Sequence, residues 1–148
     1  MTRISALTSA DRDEWLPLWH AYLVFYESEL SAEQTALTFD RITDPEHPVH
    51  GAIARDTEGR AIGFVHWFLH PATWSAGPYC YLEDLFVAPD VRGGGVGRGL
   101  IDTVVDDARS RGASKVYWLT QSHNATARTL YDKVATDTGF VHYEIDLA

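Results

Sequence analysis

The sequence predicts a mixed α/β fold in which helices pack on one sheet, and three observations support this class. Aromatic and aliphatic residues recur at helical spacing near the N-terminus, and extended segments rich in aromatic and β-branched residues follow them. A strand, a glycine-rich loop, a helix and another strand then succeed one another in the second half. The chain has 148 residues, which suits one compact domain, and we expect residues 1–148 to form it.

The N-terminal third predicts one strand and two helices. A short strand covers residues 3–7, after which Ser9 or Asp11 can cap a helix. The apolar face of this first helix consists of Trp15, Leu18, Trp19, Tyr22, Leu23 and Tyr26. A second helix is predicted over residues 32–42.

The remainder predicts a hairpin, a central strand and two further strand and helix pairs. Residues 51–70 have the pattern of a hairpin that turns at Glu58 and Gly59, and residues 78–89 form an aromatic-rich strand. The helix after the glycines has one apolar stripe and ends before Gly112; its members are Leu100, Ile101, Val104, Val105 and Ala108. A buried strand over 114–120, a last helix with Ala127, Leu130, Tyr131 and Val134, and a closing strand over 139–147 complete the prediction.

Composition excludes several classes of function. Twelve Lys and Arg against 21 Asp and Glu give a net charge of -9, which disfavours nucleic acid as a partner and favours cationic small molecules or basic peptides. No apolar stretch approaches the roughly 20 residues of a membrane helix, and no apolar signal region follows Arg3, so we expect a cytoplasmic protein without membrane contact. The single Cys80 forms no internal disulfide, and we expect no metal site.

The segment VRGGGVGRGL holds five of the 11 glycines and lies between a predicted strand and a predicted helix. Such a loop lets backbone N–H groups surround an anion, and the helix dipole adds partial positive charge. A P-loop would need Lys after its last glycine, but Leu100 follows Gly99, and no three glycines fit the dinucleotide fingerprint. The segment that remains is Arg92-x-x-Gly95-x-Gly97.

This segment resembles the acetyl-CoA pyrophosphate loop of the GCN5-related N-acetyltransferase (GNAT) superfamily. A second family motif, Asn-x-x-Ala-x-x-Leu-Tyr, is matched by Asn124, Ala127, Leu130 and Tyr131. The resemblance implies a central, mostly antiparallel twisted sheet of about six to seven strands flanked by about four helices. Seven residues separate Tyr131 from Gly139, a longer spacing than is common in the family, so the last helix is longer or ends in a loop. This form is similar to the Hpa-type acetyltransferases, and YLEDLFV is similar to the spermidine/spermine acetyltransferase branch.

The resemblance also implies which residues bind acetyl-CoA. Leu85, Phe86 and Val87, which lie on one predicted strand, would bind the pantetheine arm, and Val87 would bond it through its backbone. The pyrophosphate would be held by Arg92, Gly93, Gly94, Gly95, Val96, Gly97 and Arg98. Asn124 would contact the cofactor's arm or an ordered water, and Tyr131 would lie near the sulfur.

Acetyl transfer to an amine requires a base and benefits from an acid. At neutral pH only about one alkylamine molecule in a thousand is the free base, so a carboxylate such as Glu83 or Asp84 is needed to accept a proton, directly or through water. In the spermidine/spermine branch the residue that matches Glu83 is the proposed base. Regular strand alternation points Glu83 and Asp84 to opposite faces unless a bulge intervenes. Tyr131 is the predicted acid that protonates the leaving thiolate.

The acceptor is predicted to be a small cationic amine, such as a polyamine or an amino acid, that attacks acetyl-CoA directly in a ternary complex. Its candidate binding residues are Tyr26, Glu27, Glu29, Glu83 and Asp84, with Tyr22 or Trp74 as further aromatic faces for an ammonium group. Two alternatives stay open: acetylation of lysines on histone-like basic proteins, and a non-catalytic CoA-binding module. We also expect a homodimer, because family members of this size commonly pair.

Overall fold

A computed structural model of the protein describes residues 2–148, which form two compact units that meet at residues 117 and 118. The first unit contains β1 (Arg3–Ala6), α1 (Arg12–Phe25), α2 (Ala32–Thr43), β2 (His50–Arg55), β3 (Ala61–His70), β4 (Tyr79–Val87), α3 (Val96–Ser110) and β5 (Lys115–Tyr117). The second unit contains α4 (Ala125–Val134). Short 3-10 turns at Ser9–Asp11 and Pro89–Val91 precede α1 and the glycine loop.

The five strands form one sheet in the order β1-β2-β3-β4-β5. Every neighbouring pair from β1 to β4 is antiparallel, and β5 lies parallel to β4. The parallel pair requires a crossover, which α3 supplies after the glycine loop. The predicted mixed, mostly antiparallel class is therefore confirmed.

Helices α1 and α2 cover one face of the sheet with an aromatic core. Trp15 and Trp19 stack at 5.3 Å along α1, and both rings lie within 6.4 Å of Phe64 on β3. Phe39 of α2 meets Trp15 at 5.0 Å. These four side chains are at most 5% exposed, as the helical spacing of the aromatic residues predicts.

Helix α3 packs on the opposite face through its predicted apolar stripe. Leu100 and Val104 are fully buried, and Ile101 and Ala108 are nearly so. Gly63 allows this packing, because a Cβ atom there would lie 2.7 Å from the backbone oxygen of Phe86 and 3.3 Å from Leu100. The sheet is thus held between α1 and α2 on one side and α3 on the other.

The predicted closing strand over 139–147 is absent, so the described residues form five strands rather than six to seven. The prediction came from the alternation of Val141, Tyr143, Ile145 and Leu147, which is typical of a strand. A strand also needs a neighbour for its backbone groups, and alternation alone does not supply one. In the structure these four side chains are 78–95% exposed.

Candidate active site

The glycine loop leads into the N-terminus of α3. Gly93 and Gly95 adopt left-handed backbone conformations with φ of +90° and +83°, which non-glycine residues rarely take. Within α3 the first backbone donor used is Gly99, which bonds the oxygen of Gly95 at 3.0 Å. The preceding N–H groups of Val96, Gly97 and Arg98 therefore point out of the helix end, where an anion is favoured. The side chain of Val96 is buried, so that residue offers only its backbone.

Arg92 links the loop to the end of β4. Its Nε atom donates to the backbone oxygen of Val87 at 3.1 Å. Its guanidinium also lies 5.7 Å from the ring centre of Phe25 and 5.8 Å from that of Phe86. The residue thus connects the glycine loop, the strand predicted to bind the pantetheine arm, and the end of α1.

Strand β4 contains a bulge at Glu83. His66 pairs with Asp84 and Trp67 pairs with Leu82, so β4 has one residue more than β3 at this point. Before the bulge Tyr81 pairs with Phe68, and beyond it Asp84 pairs with His66. The bulge removes the strict alternation, and both carboxylates influence Tyr22 of α1 electrostatically.

Asp84 is tied to the first helix and to β3. Its Oδ1 atom accepts a hydrogen bond from the Tyr22 hydroxyl at 2.7 Å, and its Oδ2 atom lies 2.9 Å from Nδ1 of His66. Trp15 Nε1 donates to the other ring nitrogen of His66 at 3.1 Å. His66 and Trp15 are buried, and the Asp84 side chain is 16% exposed. Asp84 therefore belongs to a buried polar network.

Glu83 is exposed, and its pKa is raised above the ordinary value of a Glu carboxyl. Desolvation by the surrounding atoms raises its pKa above the ordinary 4.5, and the negative charge of Asp84 raises it further. A hydrogen bond with Tyr81 partly opposes this increase. A base works best when its pKa approaches the working pH, so this shift favours Glu83 as the proton acceptor.

Four phenols surround the two carboxylates and remain protonated at neutral pH. Desolvation and then the neighbouring carboxylates raise the pKa of Tyr22, Tyr26 and Tyr117, and they raise that of Tyr81 to about 12. The ring centres of Tyr81 and Tyr117 lie 4.9 Å apart, and the Tyr117 hydroxyl forms a hydrogen bond with Nε2 of His70 at 2.8 Å. The result is a region of negative charge lined by aromatic rings, which suits an ammonium group.

The remaining predicted acceptor residues differ in exposure: Tyr26 belongs to this region, whereas Glu27, Glu29 and Trp74 are exposed. Tyr26 stacks edge to face with Tyr22 at 5.0 Å and is half-buried. Glu27 and Glu29 follow α1 as exposed side chains, and Glu27 has a left-handed backbone with φ of +53°. Trp74 is 92% exposed in the loop between β3 and β4. Of these residues, Tyr26 has the firmest structural connection to Asp84.

The second unit carries Asn124 and Tyr131 on α4. Asn124 is the N-cap, and its side-chain oxygen accepts from the backbone N–H of Ala127 at 3.4 Å. Tyr131 is half-buried against Trp118, with ring centres 5.3 Å apart. Helix α4 ends at Val134 and a loop follows, which accounts for the long spacing before Gly139.

Two alternative chemistries find little support in the described residues. Burial raises the pKa of the Cys80 thiol to about 11, so it is a poor nucleophile and packs in the sheet instead. Within residues 2–148, no three His, Cys, Asp or Glu side chains are grouped closely enough to hold a metal ion. No helix in the same part of the chain is sufficiently long and apolar to cross a membrane.

Comparison with known proteins shows the family of the chain. The profile described as the Acetyltransferase (GNAT) family matches residues 12–135. The chain belongs to the GNAT family. It is 39% identical over 142 residues to D-amino-acid N-acetyltransferase HPA3 of Saccharomyces cerevisiae, a match that covers 95% of this chain and 88% of the relative. It is 28% identical to thialysine N-epsilon-acetyltransferase of Caenorhabditis elegans, over 88% of this chain and 80% of that one.

Solved structures share the GNAT fold. AAC(6')-Iy in complex with the bisubstrate analogue CoA-S-monomethyl-acetylneamine has a TM-score of 0.86 at 19% identity and covers 100% of this chain and 99% of its own. The ribosomal-protein-alanine N-acetyltransferase of Brucella melitensis has a TM-score of 0.81 at 22% identity, over 99% and 100% of the two chains. The family and its named relatives make this GNAT protein an acyltransferase, and the reading as a non-catalytic module is set aside.

Sequence reasoning about this GNAT site missed the network behind Glu83. Neither His66 nor the contacts of Trp15, Tyr81 and Tyr117 were predicted from the sequence. A histidine inside the apolar run FVHWF is the signal that pointed to a buried partner, because a buried imidazole needs one. The identity of that partner depends on strand register, which the sequence does not specify.

Proposed function

We propose that this enzyme transfers an acetyl group from acetyl-CoA to a primary amine of a small cationic molecule. The observation that carries the proposal is the position of Glu83, whose bulge lies on the strand that leads directly into the glycine loop. The loop supplies backbone donors for the pyrophosphate, and the bulge supplies a carboxylate of raised pKa one strand segment away. A loop suited to phosphate that follows the strand with the proton acceptor is an arrangement that acetyl transfer to an amine can use.

The proposed reaction is a direct attack within a ternary complex. Arg92, the glycines 93–95 and the first turn of α3 hold the pyrophosphate, and Leu85, Phe86 and Val87 line the arm. Glu83 accepts the proton of the amine, whose nitrogen forms a bond to the acetyl carbon as the carbon–sulfur bond breaks. Tyr131 donates its proton to the departing thiolate. Asn124 contributes to the arm's binding site through its amide group or its backbone.

The acceptor is proposed to be cationic for an electrostatic reason. Two carboxylates and four protonated phenols favour an ammonium group at the site, and the net charge of -9 attracts cations over longer distances. The named relatives act on D-amino acids and on thialysine, both of which carry amines. A diamine or an amino acid fits these features better than a neutral monoamine.

The deciding experiment is a panel assay of thiol release from acetyl-CoA. The panel contains polyamines, D- and L-amino acids, thialysine, aminoglycosides and a lysine-rich peptide, each at low and at physiological salt. We expect turnover with small cationic amines and a preference that weakens as salt is added. Turnover with the peptide alone would replace the small-molecule acceptor with a basic protein, and no turnover with any amine would overturn the proposal.

The assembly and location are part of the same proposal. The family match extends over residues 12–135 and supports one acetyltransferase domain. A homodimer is supported by the exposed apolar side chains of Phe140, Tyr143, Ile145 and Leu147, which a second copy would cover. The reducing cytoplasm suits a protein whose single thiol, Cys80, is buried and free.

A further inference from the structure

Asp84 stands beside the proposed base and has hydrogen-bonding partners on two other elements. Both of its oxygens have partners, the Tyr22 hydroxyl at 2.7 Å and His66 Nδ1 at 2.9 Å. These contacts hold the carboxylate, and its side chain is only 16% exposed, which limits the access of a substrate amine to it. The adjacent Glu83 is exposed, so the two neighbouring carboxylates differ in accessibility.

The hydrogen-bonding of His66 follows from its partner on α1. Trp15 Nε1 is a donor only, so His66 Nε2 at 3.1 Å must be an acceptor without a proton. The proton of the neutral ring is therefore on Nδ1, which donates to Asp84 Oδ2. A second proton on the ring would set two N–H groups against each other at Trp15. The contacts with Trp15 and Asp84 are thus both satisfied when the His66 ring carries its proton on Nδ1.

The same pair determines where the bulge lies. His66 and Asp84 are direct neighbours across β3 and β4, and the next pair is Trp67 with Leu82. Glu83 is the residue left without a counterpart. A side-chain hydrogen bond at the last regular pair disfavours a one-residue slip that would make Asp84 the extra residue.

We propose that Asp84 is a positioning residue: through His66 and Tyr22 it fixes the bulge that presents Glu83, and it keeps a permanent negative charge beside that carboxylate. The proposal rests on Glu83 as the base of the proposed function. It replaces the interpretation of Asp84 as an alternative base or a substrate ligand. The chemical consequence is a Glu83 that is a stronger base than an ordinary carboxylate.

Besides desolvation, the neighbours that shift the pKa of Glu83 are Asp84 and Tyr81, both on β4. Glu83 in turn raises the pKa of Tyr22 on α1 and of Tyr117 on β5. Asp84 carries the one charge in this set, and the phenols remain neutral at the pH of the assay. Removal of the Asp84 charge alone should therefore lower the pKa of Glu83.

The first test measures the Glu83 carboxyl titration by NMR in the wild type, in Asp84→Asn and in Tyr22→Phe. Asn keeps the shape, because its oxygen can accept from His66 while its amide faces the Tyr22 hydroxyl. We expect the Glu83 midpoint to move to lower pH in Asp84→Asn and to stay in Tyr22→Phe, which retains the charge. An unchanged midpoint in Asp84→Asn overturns the proposal. This readout is independent of any acetyltransferase activity.

The second test records kcat/KM against pH for the same variants and for Glu83→Gln. We expect Asp84→Asn to shift the acidic limb to lower pH while its plateau stays within about tenfold of the wild type. If kcat/KM of Asp84→Asn falls as far as that of Glu83→Gln while acetyl-CoA binding is retained, Asp84 is the base and the proposal is overturned. If the wild type turns over no amine, the proposed function fails, and the NMR titration still decides the role of Asp84.

A third measurement needs no variant and so does not depend on folding of Asp84→Asn. The ¹⁵N shifts of the His66 ring in the wild type report which nitrogen carries the proton. We expect Nδ1–H at neutral pH. A proton on Nε2 would leave no donor toward Asp84 and would overturn the proposed network.

Discussion

Arg92 donates from Nε to the backbone oxygen of Val87 at 3.1 Å, which ties the glycine loop to the end of β4. The family resemblance assigns the Val87 backbone to the pantetheine arm and Arg92 to the pyrophosphate. The proposed contacts to the pantetheine arm and to the pyrophosphate are therefore linked by one hydrogen bond. A change in loop conformation should consequently affect binding of the whole cofactor rather than of the pyrophosphate alone.

The loop can be tested with two single-methyl substitutions. Gly95 has φ of +83°, whereas Gly94 lies outside the left-handed region and an added Cβ would meet only Val91 oxygen at an ordinary 3.4 Å. Gly95→Ala forces an unfavourable backbone that costs about 1–2 kcal/mol, so we expect acetyl-CoA affinity to fall by about 10-fold or more in calorimetry. Gly94→Ala should lower the acetyl-CoA affinity much less. Equal losses in the two variants would contradict the conformational argument.

The division of proton transfer between Glu83 and Tyr131 predicts different pH profiles. A base is needed mainly while the amine is protonated, so Glu83→Gln should lose most activity near neutral pH and recover part of it near the pKa of the amine. Tyr131→Phe should lower kcat by about 10²-fold to 10⁴-fold with little change in acetyl-CoA affinity, and high pH should not rescue it.

The measurement is a full pH profile of kcat for both variants, with acetyl-CoA affinity determined separately. Near-normal turnover in Tyr131→Phe would remove Tyr131 as the acid. A wild-type profile in Glu83→Gln would remove Glu83 as the base and would leave Asp84 or an ordered water as the next candidate.

The sequence predicted those parts of the molecule that local patterns determine. Helical spacing identified the stacked Trp15 and Trp19, and the excess of glycine identified the loop in which Gly93 and Gly95 need positive φ. These features depend on residues close together in the chain. The order of secondary elements through α4 was predictable for the same reason.

The remaining features depend on which strands pair, which a single sequence specifies weakly. The bulge at Glu83 exists only relative to the register of His66 and Asp84. The closing strand was predicted from the alternation of Val141 and Tyr143, but no backbone neighbour pairs with it among the described residues. The residue types of the site could therefore be predicted from local sequence patterns, whereas their arrangement depends on the register of the strands.

The raised pKa of Glu83 also predicts a pH-dependent effect on stability. The folded state binds the Glu83 proton more tightly than the unfolded state does, so the contribution of Glu83 to stability should fall as pH rises from the ordinary 4.5 through the raised value. Glu83→Gln lacks this loss. We expect its free energy of unfolding in urea to exceed that of the wild type at neutral pH, and the difference should shrink as pH falls toward 4.5.

The comparison at several pH values separates this effect from simple repacking, which would change stability by the same amount throughout. Parallel curves for the wild type and Glu83→Gln would show that the folded state leaves Glu83 unshifted. Measurement above the raised pKa should give a constant difference, because Glu83 is then ionised in both the folded and unfolded states.

Glu27 is a predicted acceptor-binding residue, and its backbone adopts the left-handed conformation that is unfavourable for residues other than glycine. Its N–H bonds the Val24 oxygen at 3.0 Å, and the Ser28 N–H bonds the Leu23 oxygen at 2.9 Å, which is the Schellman arrangement that usually places glycine at this position. Glu27 occupies it with φ of +53°. Glu27→Gly should therefore raise the free energy of unfolding by about 0.5–1 kcal/mol, measured by urea denaturation.

Glu27→Gln provides the matched control, because it removes the charge but keeps the Cβ atom in the same backbone conformation. If Glu27 binds the ammonium group, both variants should raise KM for a diamine, while only Glu27→Gly gains stability. Raised stability with unchanged KM in both variants would assign Glu27 to the helix end alone. Unchanged stability in Glu27→Gly would show that the αL conformation at residue 27 carries no strain that glycine can relieve.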